Sequence, residues 1–354
     1  MAGTTTRSID YNALLTSARE KYHKEGVPQD NIFEAIPTLE ALRGKGSFKT
    51  EADGGEVIRI DVIKEQNSGG GSYSGYEPSG LTPQDEFTAA FEQWRQYHWD
   101  TPISGIEIFK NGGAQKIFDL LAQKESVTHN SATEDINRDL WDLTGISSGS
   151  MGNGGKNINS IPLLVGAATA NYNIHGINPT SEGYWDNRRK DAGGSTLAGN
   201  KYIAMIRHLL NTANRGRGAG RADLLIFDQI SHENFIEALD TKVRYMSTDA
   251  ASPGFNKVDF GGVECIWDVY VPDPETPGNG GPDVTLAKGA IYALNSKCTK
   301  FYVGKGKDFA PTPFVDGYYN GQDAKVSLTL LYAQLVCDSL RNNAVLYNVP
   351  LAIS

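Results

Sequence analysis

Glu56-Val-Ile-Arg-Ile-Asp-Val-Ile-Lys64 and Phe87-Thr-Ala-Ala-Phe-Glu-Gln-Trp-Arg-Gln-Tyr-His-Trp99 read as the two arms of one extended hairpin. In the first arm Ile58, Ile60 and Val62 fall on one side and Arg59 and Asp61 on the other, the period of two that marks a strand. The second arm puts Phe87, Ala89, Phe91, Tyr97 and Trp99 on one face, interrupted by Gln93 and Arg95, with Thr88, Glu92, Gln96 and His98 opposite. Between the arms lie Ser68-Gly-Gly-Gly-Ser-Tyr-Ser-Gly75 and Pro78-Ser-Gly80, whose glycines and serines lose too much chain entropy to hold one shape unaided. A two-stranded hairpin of this reach is marginal in water unless something covers it. The spacing therefore predicts cover from another subunit, with Ile58, Ile60, Val62, Phe87, Phe91, Trp94 and Trp99 as the contact residues.

Downstream, Thr101-Pro-Ile-Ser-Gly105 reads as a turn and Ile106 to Leu143 as mostly helical. Ile117, Leu120, Leu121 and Val127 form one stripe there, and Ile136, Leu140 and Leu143 repeat at i, i+4, i+7. The stretch Thr128 to Thr133 is poor in helix formers and is the expected place for a kink. Gly145 to Lys156, dense in glycine and serine, marks the boundary to a second lobe that mixes helices and strands. Its expected elements are a helix at Leu197–Asn211, a strand at Ala222–Phe227, a helix at Ile230–Leu239 and strands at Val263–Trp267, Gly289–Leu294, Lys300–Val303 and Ala324–Cys337. The class is α+β without a regular βαβ repeat. Ahead of the hairpin, Tyr11 to Lys24 and Ile32 to Leu42 are short amphipathic pieces broken at Gly26-Val-Pro28, suited to docking on something else.

A chain of 354 residues with 39% hydrophobic content can bury a large core, which excludes a disordered protein. Its longest apolar runs, such as Ile161–Ala168 and Leu328–Val336, are far too short for a membrane span, and the N-terminus lacks an apolar signal core. Three widely spaced cysteines, Cys265, Cys298 and Cys337, fit neither a disulfide framework nor a zinc knuckle and are expected as reduced, buried thiols. The formal charge of -9 argues against gripping nucleic acid over the whole surface, though not against enclosing it.

The strings that look catalytic fail on context. Gly145-Ile-Ser-Ser-Gly149 has a helix before it and a loop after, the reverse of a nucleophile elbow, so Ser147 is not expected to be catalytic. Ser150-Met-Gly-Asn-Gly-Gly-Lys-Asn157 has Ser150 and Asn157 where a phosphate loop needs Gly and Ser or Thr. Gly216-Arg-Gly-Ala-Gly-Arg221 precedes a strand, the wrong order for a dinucleotide site, and its arginines Arg215, Arg217 and Arg221 read as an exposed loop. The scattered histidines and the group Asp259, Asp268 and Asp273 give no metal-ligand spacing. No enzyme, cofactor or metal site is expected.

Tyr76-Glu-Pro-Ser-Gly-Leu-Thr-Pro-Gln-Asp-Glu-Phe87, Trp94–Tyr97, Pro102–Gly105, Asn111–Leu121, Asn137–Leu140, Asp223–Ile226, Ala293–Lys297 and Ala333–Asn343, in that order, resemble the major capsid proteins of tailed bacteriophages. That fold is shared with herpesvirus shells and encapsulins. The resemblance implies an N-terminal arm (residues 1–47), an extended β-hairpin loop (48–103), a peripheral domain with a long spine helix (104–157), an axial domain (158–310) and returning peripheral strands (311–354). It implies self-assembly into hexamers and pentamers of an icosahedral head around double-stranded DNA, with portal and decoration proteins as partners and the virion, assembled in host cytoplasm, as location. The resemblance begins close to Met1, so a separate scaffolding protein is expected. Some members crosslink a loop lysine to a neighbour's asparagine, for which Lys49, Lys64, Asn342 and Asn343 are the candidates here. The remaining alternatives are an encapsulin-like nanocompartment shell and a hydrolase built on the second lobe.

Overall fold

The computed structural model describes residues 36–51, 55–76, 83–110, 120–144, 149–167, 169–193, 198–214, 220–240, 258–272, 289–317, 321 and 323–350. The expectations placed on Tyr11–Lys24, Pro78–Gly80, Ile117, Ser147, Arg215, Arg217 and Asp273 lie outside these residues. The described chain folds as two compact units, a smaller one within 97–134 and 309–331 and a larger one within 35–96, 135–308 and 332–354.

In chain order the chain forms α1 (Pro37–Gly44), β1 (Phe48–Glu51), β2 (Val57–Ile63), β3 (Phe87–Gln93), β4 (Arg95–Ser104), α2 (Gly105–Lys110) and α3 (Leu120–Leu140). There follow β5 (Arg188–Asp191), α4 (Gly199–Ala213), β6 (Leu224–Phe227), α5 (Gln229–Asp240), β7 (Val258–Phe260) and β8 (Val263–Trp267). The last six strands are β9 (Gly289–Leu294), β10 (Thr299–Gly304), β11 (Ala310–Pro311), β12 (Val315–Asp316), β13 (Ala324–Cys337) and β14 (Ala344–Val349). Helices and strands mix as the sequence predicts for an α+β chain.

The larger unit is built on a sheet of order β5-β14-β9-β6-β8-β7. Its central strands β6 and β9 are buried at every position, which is why Leu224-Leu-Ile-Phe227 and Gly289-Ala-Ile-Tyr-Ala-Leu294 read as unbroken apolar runs instead of alternating ones. One face is covered by α4 and α5, where Ile206, Leu209 and Leu210 meet Phe227, Phe235 and Val263 in a single core. Phe235 stacks on Phe227 at 5.1 Å and meets Phe260 edge-on at 5.4 Å. Trp141, fully buried, packs on Tyr292 of β9. Asp228 caps α5 by accepting the Ser231 N–H at 3.1 Å. Strands pair in parallel three times among the described residues, β1 with β10, β5 with β14 and β6 with β8, and only the last pair is close in sequence, joined through α5 and β7, so no βαβ repeat forms.

A second sheet in the same unit pairs β1 in parallel with β10 and β10 antiparallel with the end of β13. Phe48 seats on Phe301 at 4.8 Å, and the Ser47 hydroxyl donates to the Ser296 carbonyl. Asn343 joins this sheet to the strand that follows: its amide donates to Thr299 Oγ1 and Cys337 Sγ, and its carbonyl accepts the Asn295 N–H at 2.8 Å. Asn342 is likewise buried and donates to Cys298 Sγ and Ser339 Oγ. Both asparagines are thus enclosed structural groups, which overturns their candidacy as crosslink acceptors. The three cysteines are free and buried, as expected. Burial pushes the Cys265 thiol up to about 12 and raises Cys298 and Cys337 too, so none is a ready nucleophile.

In the smaller unit, Thr101–Ser104 is the end of strand β4, not a turn. Thr101 and Ile103 point inward while Pro102 faces solvent, so the proline costs no buried N–H partner. Ser104 and Glu107 then form a reciprocal cap, Ser104 N–H to Glu107 Oε2 and Glu107 N–H to Ser104 Oγ, which starts α2. Lys124 of α3 reaches Glu107 at 2.8 Å and the Pro102 carbonyl at 3.1 Å. Burial alone would push the Glu107 carboxyl up, but Lys124 and Ser104 hold it below the ordinary value. Helix α3 is continuous through Thr128–Thr133, against the expected kink. The Thr128 and Thr133 hydroxyls donate to the carbonyls four residues back, so these weak formers keep their polar groups within the helix. Ile136 and Leu140 are buried as their spacing predicts, whereas Val127 is half exposed.

Candidate functional site

Arms β2 and β3 pair antiparallel in register, from Val57 opposite Gln93 to Ile63 opposite Phe87, and form a two-stranded sheet of their own. Lys64 N–H extends the ladder to the Glu86 carbonyl, Lys64 Nζ pairs with Asp85 at 2.6 Å, and Ser68 and Gln84 exchange two further bonds. Every residue from Glu65 to Tyr76 is exposed. Gly69 N–H donates to Asn67 Oδ1 at 2.8 Å, and the tip as a whole stands in solvent.

Register and burial divide the expected contact residues into two sets. Ile58, Ile60 and Val62 line one face with Glu92, Ala90 and Thr88, and these three apolar side chains are already buried within the chain, at 6%, 6% and 8% exposure. They are covered by the subunit itself and so are not available to a neighbour. Phe87 and Phe91 lie on the opposite face with Val57 and Ile63, and all four are exposed, Phe87 at 65% and Phe91 at 49%. Trp94, at the step between β3 and β4, is half-buried. Trp99 belongs to the smaller unit, where it stacks between Tyr97 at 5.7 Å and Phe309 at 6.0 Å. Four exposed apolar side chains on one strand face are the kind of patch that marks an interaction surface.

The root of the hairpin is polar and enclosed. His175 lies in the short turn closed by the Ile174–Ile177 bridge, with φ of 52°, and its carbonyl accepts the Phe91 N–H at 2.9 Å. Its Nε2 accepts the Cys337 N–H at 3.2 Å, which leaves the ring proton on Nδ1, donated to Glu92 Oε2 at 2.8 Å. Gln334 donates to Glu92 Oε1 and to the Gln93 carbonyl, while its own carbonyl accepts the Asn159 N–H at 2.8 Å. Burial alone would push the Glu92 carboxyl up, but hydrogen bonds from His175, Asn159 and the Gln93 main chain hold it below its ordinary value. Sequence reading missed this cluster, because His175 is 83 positions from Glu92 and 162 from Cys337 and no local spacing joins them.

The rejected motifs have structural explanations. Around the would-be phosphate loop, Asn153, Gly154 and Gly155 are left-handed, and the carboxylates of Asp139 and Asp142 lie against Asn157 and Gly152. An anion there would meet negative charge. Arg221 donates to the Gly261 carbonyl from an exposed position. Asp268 is buried and accepts from the Asn137 amide and the Tyr270 N–H. Among the described residues no group of His, Cys, Asp and Glu is placed to hold a metal, and no helix is long and apolar enough to cross a membrane.

No protein-family model matches the sequence, and no curated protein sequence does either. Solved structures do match. The capsid of cyanophage A-1(L) superposes with a TM-score of 0.61 at 13% identity, covering 93% of this chain and 97% of that one. The SrpI encapsulin of Synechococcus elongatus PCC 7942 gives 0.60 at 10% identity, with 95% of each chain covered. The capsid of the Myoviridae phage XM1 gives 0.55 at 12% identity, over 93% of this chain and 97% of that one. Likeness over nearly the whole length of chains so different in sequence means that the protein has the major capsid fold of tailed phages, the fold that the encapsulin shares.

Proposed function

We propose that this chain is the major capsid protein of a tailed-phage head, assembling as hexamers and pentamers into an icosahedral shell around double-stranded DNA. The observation that carries this reading is the hairpin face of Val57, Ile63, Phe87 and Phe91, exposed on a chain that has a shell-forming fold. In a closed shell each subunit covers such a face on another, so no copy is left with it bare. In this reading residues 48–103 are the extended loop, α3 the spine, 158–310 the axial domain, and a separate scaffolding protein, a portal and decoration proteins are partners. The chain acts by assembly and not by catalysis. The net charge of -9 suits containment of DNA by geometry, since like charge holds the packed polymer off the wall.

The likeness to the SrpI encapsulin favours a second reading, a nanocompartment that encloses protein cargo. The contents of purified particles separate the two, as DNA or as cargo protein. Deleting Glu65–Tyr76, all exposed, is expected to impair shell closure while the larger unit keeps its fold. Electron microscopy and circular dichroism of the deletion variant check this, and shells as complete as those of the unaltered chain would exclude a closing role for the tip.

A further inference from the structure

The inner side chains Ile58, Ile60 and Val62 hold the hairpin by apolar burial, which has no direction. A hairpin swung by a few degrees would keep much of that burial. Hydrogen bonds, in contrast, fix angles. Those that tie β3 to the rest of the larger unit gather at its last residues, Phe91, Glu92 and Gln93. The two residues that make them have side chains braced from behind, His175 by the Cys337 N–H and Gln334 by the Asn159 N–H. Both are buried, and His175 holds a left-handed backbone that a non-glycine residue keeps only where its surroundings demand it. At the far end, Glu65 to Tyr76 is exposed throughout. A long arm is thus fixed in direction at one buried point near its base.

We propose that His175 and Glu92 form a latch that fixes the direction in which the hairpin leaves the larger unit, and that opening the latch lets the hairpin swivel. The purpose of the swivel rests on the shell reading: subunits in hexamers and pentamers meet at more than one angle, and an arm that reaches a neighbour must be aimed accordingly. The latch itself does not rest on it. Glu92 accepts from both His175 and Gln334, so Glu92→Ala leaves the buried His175 Nδ1–H without its acceptor, strips Gln334 of one of its two, and releases the arm. Glu92→Gln keeps the volume and one acceptor, and is expected to loosen the arm less.

The test is a distance distribution between spin labels at Asp61→Cys, on the exposed side of strand β2, and Lys201→Cys, on exposed helix α4, in the unassembled full-length chain. Both sites are exposed, and the three native cysteines are buried. The unaltered latch is expected to give one narrow distribution, and Glu92→Ala one at least about twofold broader. Glu92→Gln should fall between them. Circular dichroism reports folding; should Glu92→Ala not fold, Glu92→Gln decides alone. Distributions in the folded variants as narrow as in the parent overturn the latch. Because the measurement uses unassembled protein, a broadened distribution from a chain that never forms particles would keep the latch and remove the shell. Particles from a chain whose distribution does not respond would do the opposite.

Discussion

Phe87→Glu combined with Phe91→Glu is expected to leave the subunit folded and to abolish its assembly into particles. Both side chains are more than half or nearly half exposed, so charge at these positions meets water in the free chain and changes its stability by no more than about 1 kcal/mol. In the proposed shell the same face is covered. Burying what remains exposed of Val57, Ile63, Phe87 and Phe91 contributes about 4 kcal/mol per subunit, which two carboxylates both remove and reverse, because an unpaired buried charge costs several kcal/mol more. Repeated at every subunit, that difference is decisive. Sedimentation at matched concentration checks it, with urea melts as the control for folding. Particles that form normally from the doubly charged chain would show that this face is not an interface.

Acid is expected to weaken the larger unit through His232. The side chain is almost fully buried in the first turn of α5, edge-on to Phe227 at 5.7 Å, and its Nε2 has no hydrogen-bond partner. Burial pushes it down to about 4 from an ordinary 6.5, with Glu233 opposing the shift only in part. The unfolded chain therefore takes up a proton near pH 6.5, and the folded chain does not until about pH 4. Stability is full above the unfolded value and falls as pH drops through this window, by about 3 kcal/mol in all. Urea midpoints at pH 7 and pH 4.5 measure the loss, and His232→Phe should remove most of it. If His232→Phe keeps the whole pH dependence, another group carries it.

What was legible in the sequence follows from how local each signal is. Strands β8 and β9 and the whole of β13 stand where their apolar runs predict, and α4 and α5 fall within two residues of expectation, because periodicity is a property of neighbouring positions. Strand β14 was not foreseen: Asn343 and Asn348 flank and interrupt it, and Asn348 takes a left-handed φ of 55° where the register with β9 shifts. In the first half of β13 the buried position carries a polar side chain. Ser327 is buried and donates to the Thr312 carbonyl, while Leu328 is exposed, since a strand beside β11 and β12 takes its polar partners from chain that sequence spacing does not identify. The hairpin shows both cases together. Its pairing and its two faces were readable, but which face the subunit covers for itself depends on contacts far along the chain, and so does the root at His175.

Negative-stain electron microscopy of the full-length protein, expressed alone and together with the genes that flank its own, decides whether this chain closes into shells. Rings of six or five subunits and closed particles are expected, with the hairpin of each subunit lying on its neighbour. A chain that stays monomeric under both conditions, with its hairpin face bare, would contradict shell closure.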